Sequence, residues 1–560
     1  MAATVDALCA EYWQAYCEIH PLTASYLGFR EYDELVPDLS APGQAAQAGR
    51  FRALAQRAAA ADDGTLAADD RVTVRMLASE AAARADEQDE AAVEYTVAPA
   101  ITGPLVDVFE TCPRLSITDA YQAEALVVRH RRLAGAFDMA TRRLREGLAR
   151  GRTPVAHTVQ GTVDWLDSYL ASALADDPLL APAAPAAWSR QRTDVWREAL
   201  QDAVATSVRP ALARMRDVLA SDVLPAARSP ERAGLCWLPG GEELYAAAVR
   251  RHTGAAHAPD ALHALGRAAV EALTEEYQTI GGQALATSDL TDIFGRLRED
   301  PALRFTSVQE VRTAAEVALA RAQEAVPRWF GRQPRTGCVV RPMDPHEVEH
   351  GTIAYYQPPA SDGSRPGVYY VNTHAPHTRT RFEAEALAFH EAVPGHHTQV
   401  ALAQELDLPT FRRHAVPTAY SEGWALYTER LADEMGLYSD ALARLGMLAF
   451  DSWRAGRLVV DTGLHARGWS REQAVAYLRE HSPLAANNIA NEVDRYIVLP
   501  GQALAYKVGQ RRILDLRQRA QRSLRSRFDL AAFHDAVLAS GPLPLDVLDE
   551  QLDAWIASQQ

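Results

Sequence analysis

The sequence predicts a mainly α-helical protein with one small β-sheet. Three observations carry this expectation. Apolar residues recur at three- and four-residue spacing over most of the 560 residues. Short β-branched or aromatic runs cluster in one region only, 337–372. A His-Glu pair inside a helical pattern, His390-Glu391, precedes a Pro-Gly break and two further histidines.

The bulk properties bound the function. A hydrophobic share of 48% and a charged share of 23% fit a folded, soluble chain. A net charge of −16 argues against a general nucleic-acid partner. No run of 18 apolar residues occurs, so no membrane-spanning helix is expected. The opening MAATVDALCAEYWQAYCEIH lacks the basic start and apolar run of a signal peptide, which makes the cytoplasm the expected location. Cys9, Cys17, Cys112, Cys236 and Cys338 are odd in number, widely spaced and without a CxxC pair. Buried free thiols are expected, not a disulfide framework or a cysteine-ligated metal. Among 57 basic residues only Lys507 is a lysine, a bias we read as GC-rich bacterial codon usage.

Residues 1–230 form an expected N-terminal helical lobe. Segments 44–61, 67–89, 119–150 and 189–222 carry the helical period, with breaks at Pro37, Pro42-Gly43, Pro113 and the proline cluster at 178–185. Residues 231–560 form the expected catalytic lobe, integrated with the first. It begins with a turn and short helix at 236–254, then helices at 259–281 and 307–330. Strands are expected at 337–343, 352–357 and 367–372, the last two joined by the turn-rich PPASDGSRP. Helices resume from about residue 380.

The chemistry concentrates in RFEAEALAFHEAVPGHHTQV, residues 381–400. The zinc-hydrolase motif HExxH places two histidines four apart on one helix face, with the glutamate as general base. Here Pro394 occupies the fourth position after His390. His397 would share the direction of His390 on an ideal helix but lie about 10 Å further along the axis, too far for one ion. A bulge at Pro394-Gly395 resolves the conflict, since proline donates no backbone bond and glycine tolerates unusual dihedrals. A two-residue bulge brings in His396, the favoured second ligand; a three-residue bulge brings in His397. A bland alternative is a helix that ends at Pro-Gly with surface histidines.

A second segment, TAYSEGWALYTERLADEM at 418–435, reads as a largely buried helix with Ser421 as its expected N-cap. Glu422 and Glu429 fall on one face, seven residues apart. Glu422 is the expected third ligand, and Glu429 an acid that orients a ligand histidine. A third segment, NEVDRYIVLPGQALAYKVGQRR at 491–512, offers donors for an oxyanion: Tyr496 first, Arg495 second, unless these are ordinary core residues. Lys507, kept against the arginine bias, is expected to anchor a substrate carboxylate, with Tyr506 beside it in substrate binding.

Together, HEAVPGHHTQ, YSEGWALYTERL and RYIVLPGQALAYKVG resemble a large bacterial family defined as a domain of unknown function, within the gluzincin-like metallopeptidase superfamily. YYQPPASDGSRPGVYYVNT, LPGGEELYAAAVRRHTG and YLGFREYDELVPDLS extend the resemblance over nearly the whole chain. The resemblance implies a two-lobed helical metallopeptidase-like fold with a small sheet beside the active site. It implies His390, His396 and Glu422 as zinc ligands, Glu391 as base and Tyr496 as oxyanion donor. Strand GVYYVNT, with Tyr370 and Asn372, would hold substrate backbone by strand addition. His374 and His377, just upstream, would line the channel or sit in a surface loop. The departure from better-known relatives is the longer His-to-His spacing. The expected activity is zinc-dependent hydrolysis of amide bonds in short peptides. A small-molecule amide in a specialised pathway, or a non-catalytic scaffold, are the alternatives.

Overall fold

Apolar stripes at helical spacing become helices almost throughout the computed structural model, which describes residues 2–62, 64–99, 101–343, 353–360 and 365–560. The chain divides into two units. The first comprises Met1–Ala248, Leu464–Gln473 and Asp494–Pro500; the second comprises Val249–Gly463, Ala474–Val493 and Gly501–Gln560. A single boundary at 230 misses the two later pieces, because no local pattern announces which unit a helical segment joins.

In the first unit, the expected segments form Ala41–Ala61, Ala68–Glu90, Ala120–Ala149 and Arg190–Ala203, the last continuing through a π-turn into Arg209–Val218. Side-chain caps set three of the starts. Ser40 Oγ accepts from Gly43 N at 3.1 Å, Asp119 from Gln122 N at 3.0 Å, and Ser189 from Arg192 N at 3.3 Å. Leu133, Phe137 and Leu144 of the long Ala120–Ala149 helix pack with Val159, Leu166 and Leu212 in the core. The fully buried Glu94 carboxylate is matched by Arg143 at 2.6 Å, Arg150 at 2.8 Å and Arg152 at 3.0 Å. Such multiple pairing is what a buried charge requires.

In the second unit, helices Pro259–Leu285 and Val308–Ala325 precede the sheet. Its strands are β1 (Cys338–Pro342), β2 (Ala354–Gln357) and β3 (Gly367–Val371), in the order β1-β3-β2. β1 runs parallel to β3, with Val339 opposite Val368; β2 runs antiparallel, with Tyr356 opposite Tyr369. Thr352 and residues 361–364 of the expected strand and turn lie outside the described residues.

The sheet order corrects one expectation. β3 is the central strand, hydrogen-bonded on both sides, so GVYYVNT has no open edge to offer a substrate backbone. Tyr370 instead stacks on Tyr355 at 4.9 Å and faces Gln357. Asn372 is buried, and its side chain accepts the His374 backbone N–H at 3.0 Å.

Two helices of this unit, Thr418–Glu434 and Ala505–Leu524, cross where Gly423 meets Gly509. A Cβ on Gly509 would lie 1.8 Å from the Ala419 carbonyl oxygen, and one on Gly423 would lie 2.4 Å from Gly509 Cα. Only glycine permits this approach, and the obstacle is backbone that cannot swing aside. Gly509→Ala is expected to cost at least about 1–3 kcal/mol of stability, read as a lowered denaturant midpoint at unchanged m. An unchanged midpoint would show that the crossing relaxes freely.

Candidate metal centre

The helix Ala384–Glu391 carries His390 and Glu391 on its last turn, and a second helix starts at His396. Between them the regular ladder breaks. The Val393–Pro394 peptide is cis, and His397 N donates to Ala392 O, five residues back, at 3.1 Å. Gly395 sits against the chain itself: a Cβ there would lie 1.9 Å from His390 O. The Pro-Gly pair is thus the local reason that the chain re-enters a helix with His396 beside His390. Their rings are perpendicular, with centroids 4.9 Å apart.

The helix Thr418–Glu434 braces this break from one side. Trp424 Nε1 donates to Pro394 O at 3.1 Å, and Thr428 Oγ1 donates to Phe389 O at 3.2 Å. Ser421 Oγ donates to Gln399 Oε1 at 3.1 Å. That bond corrects the N-cap expectation: the helix begins three residues earlier, at Thr418, and Ser421 is a buried tie between helices. The same helix brings Glu422 to the histidines. Glu422 Oε2 lies 3.6 Å from His390 Nε2 and 3.6 Å from His396 Nε2.

These three donor atoms all lie within 4.8 Å of one another. Zinc bonds of 2.0–2.1 Å in tetrahedral geometry place donors roughly 3.3–3.5 Å apart, so the spacing fits. Two imidazoles and a carboxylate are also the donor set of catalytic zinc, with a fourth position left open. Glu429, about two turns further along the same helix face, holds His390 Nδ1 at 2.7 Å and so turns Nε2 toward Glu422. Burial opposes charge on His390, but Glu422 and Glu429 outweigh it and lift the imidazole to about 10. Burial likewise opposes charge on Glu422, yet the two histidines hold its carboxyl well below the usual range. A cation entering here therefore displaces a proton, and its affinity falls in acid.

His397 is turned away. Its Nδ1 meets Tyr356 Oη at 3.0 Å and its Nε2 meets Thr336 O at 3.0 Å. Gly367 of β3 makes the seat, since a Cβ there would lie 2.5 Å from His397 Nδ1. Burial pushes the His397 imidazole down to about 4. The three-residue bulge is thereby excluded, and His397 is a neutral tie to the sheet.

Glu391 is half-buried at the helix end, and its charge adds to burial in raising the buried Tyr369 hydroxyl of β3. His374 and His377 are exposed beside the Pro376–Thr378 turn and do not join the cluster. Arg495 and Tyr496 belong to the first unit; Tyr496 is buried, and its carbonyl meets His465 Nε2 at 2.9 Å.

Lys507 has a partner other than the one expected. Its buried ammonium pairs with Asp451 Oδ1 and donates to Gln510 Oε1 at 2.7 Å. Asp451 Oδ2 also takes Arg430 Nε at 2.7 Å. Burial works against the Asp451 charge, but Lys507 and Arg430 hold its carboxyl far below the usual range. The single lysine is a structural counter-charge at the helix crossing, where a compact ammonium fits. Sequence reasoning also passed over Arg454. Its signal was the spacing of Asp451, Arg454, Arg457 and Asp461 along the middle of the helix Ala441–Arg467, among apolar residues such as Phe450, Leu458 and Val459.

Residues 21–552 match the model of a family described as a bacterial protein of unknown function, DUF885. No curated protein matches the chain. A crystal structure from Colwellia psychrerythraea, provisionally described as a lipoprotein, is similar at TM-score 0.92 and 25% identity, with 99% of each chain covered. A structure from Shewanella oneidensis, provisionally described as a lipoprotein of unknown function, aligns at TM-score 0.70 and 17% identity over 97% of this chain and 98% of that one. At that identity the second likeness concerns fold alone.

Proposed function

This chain belongs to the DUF885 family of bacterial proteins, and from that premise we propose that it is a zinc-dependent amide hydrolase of gluzincin-like type acting on short peptides. One observation carries the reading: His390, His396 and Glu422 converge within 4.8 Å, immediately beside Glu391. Exposed acids gather in many proteins without an ion, but this cluster differs. His390 is buried, and a dedicated acid, Glu429, fixes which nitrogen it presents.

The roles follow from the chemistry of the groups. His390, His396 and Glu422 would hold the ion, whose Lewis acidity polarises an amide carbonyl and acidifies water. Glu391, half-buried and next in sequence to a ligand, would take the proton from the attacking water. It would then pass that proton to the leaving nitrogen, so that water and amide yield carboxylic acid and amine. Glu429 holds Nδ1 of His390 throughout and keeps the imidazole basic.

The test is a mixture of peptides of two to ten residues incubated with zinc-loaded protein and followed by mass spectrometry. New fragments that vanish on chelation and return with zinc are the expected result. Peptides untouched by protein that demonstrably holds zinc would overturn the peptide reading.

A further inference from the structure

A second functional feature lies in the same unit, on the helix Ala441–Arg467. Arg454 is buried, yet its Nε and Nη1 have no hydrogen-bond partner among the described residues. Arg412, Arg457 and Arg519 of this unit leave one such donor each, Arg454 two. Arg430 is taken by Asp451 and Glu276, Arg321 by Glu385, and Arg517 by Glu434. A buried guanidinium with open donors is destabilising unless something answers it.

The surroundings are arranged for a planar anion. Rings of Phe450, Trp453 and Tyr506 lie 4.5, 4.0 and 5.8 Å from the Arg454 guanidinium carbon. They hold the group in place and leave its edge as the donor face. Arg457, one turn on, lies 4.3 Å over the same Tyr506 ring and adds positive charge. Of the carboxylates within charge reach, only Glu429 keeps an open oxygen: its Oε1 is taken, while its buried Oε2 has no hydrogen-bond partner among the described residues. Glu429 binds His390, Glu492 binds Arg457 at 2.8 Å, and Glu383 binds Thr380. Trp453, Arg454 and Tyr506 keep 9%, 5% and 8% of their surface exposed. Glu429 ties the two features together: it grips His390, and its charge is the carboxylate charge that acts most strongly on Arg454.

We infer that Arg454, flanked by Arg457 and Tyr506, is a carboxylate-binding subsite beside the metal cluster. The substrates would be amides whose amine portion carries a free carboxylate: short peptides with an unblocked C-terminus or N-acylated amino acids. The inference rests on the hydrolase reading for the bond that is cut, but not for the binding of the carboxylate. Arg454, and not Lys507, takes the anchoring role.

The experiment is calorimetric titration of the full chain, zinc-loaded and chelator-stripped, with N-acetyl-alanyl-alanine and with its C-terminal amide. Charge-assisted hydrogen bonds of this kind give an expected preference of about 10- to 100-fold for the acid. Arg454→Met should abolish the preference while zinc content stays unchanged, and Arg454→Lys should retain part of it. Circular dichroism and the unfolding midpoint establish that both variants are folded. Equal binding of acid and amide to wild type, or no binding of either, overturns the subsite. So does a preference that survives in Arg454→Met. If Arg454→Met loses zinc affinity and leaves the acid preference intact, Arg454 is only a counter-charge to Glu429. An acid preference in stripped protein that hydrolyses nothing when zinc-loaded keeps the subsite and discards the hydrolase.

Discussion

Glu422→Ala is expected to abolish metal binding while leaving the chain folded. Wild-type protein, dialysed after loading, should carry about one zinc per chain by mass spectrometric metal analysis. The variant should fall to background, with affinity reduced by at least about 100-fold. Loss of an outer partner alone costs roughly 10- to 100-fold, so loss of a donor atom must cost more. The effect is predicted to be specific, because the side-chain contacts of Glu422 among the described residues are with the two histidines, its Oε2 lying 3.6 Å from each. Two further variants sharpen the result. His396→Ala should behave like Glu422→Ala. His397→Phe should keep its zinc, since both His397 nitrogens are spent on Tyr356 and Thr336. Retention of a full zinc equivalent by Glu422→Ala would place the ion elsewhere and remove the basis of the proposed activity.

Much of this centre was legible in the sequence because its determinants are local. The helical period placed His390, Glu422 and Glu429 on their faces, and the Pro-Gly pair signalled a break whose size selects His396. What escaped was non-local. Ser421 looked like a cap because serine favours helix starts, but a tertiary bond to Gln399 claims its hydroxyl. Lys507 stood out through codon bias, yet its partner Asp451 lies 56 residues away and no spacing rule connects them. GVYYVNT read correctly as a strand, but strand order depends on pairing, and the central position that removes its free edge is invisible in one segment. Arg454 was missed for a related reason. Composition counts an arginine as solvated surface, and the packing of three rings around it shows what the charge spacing along its helix only hints at.

Glu391→Gln is expected to separate metal binding from chemistry. Glutamine keeps the shape and a hydrogen-bonding oxygen but cannot accept and return a proton at neutral pH. Zinc content should remain about one per chain, since Glu391 is not among the three converging donors. Any peptide cleavage found in the wild type should fall by about 10²- to 10⁴-fold in kcat, the range that a positioned general base supplies. KM should change little, because the group acts on water and on the leaving nitrogen, not on the bound ground state. The fold offers little objection to the change. Glu391 ends its helix half-buried, and the His390–Glu429 and Trp424–Pro394 bonds that hold the turn do not involve its side chain. The pairing of results matters more than either one. Glu422→Ala without zinc and Glu391→Gln with zinc but without turnover require an ion and a base in separate roles, which a scaffold does not need. A Glu391→Gln protein that cleaves as fast as the wild type would assign the proton transfer to another group, and the His-Glu pair would then be a metal site alone.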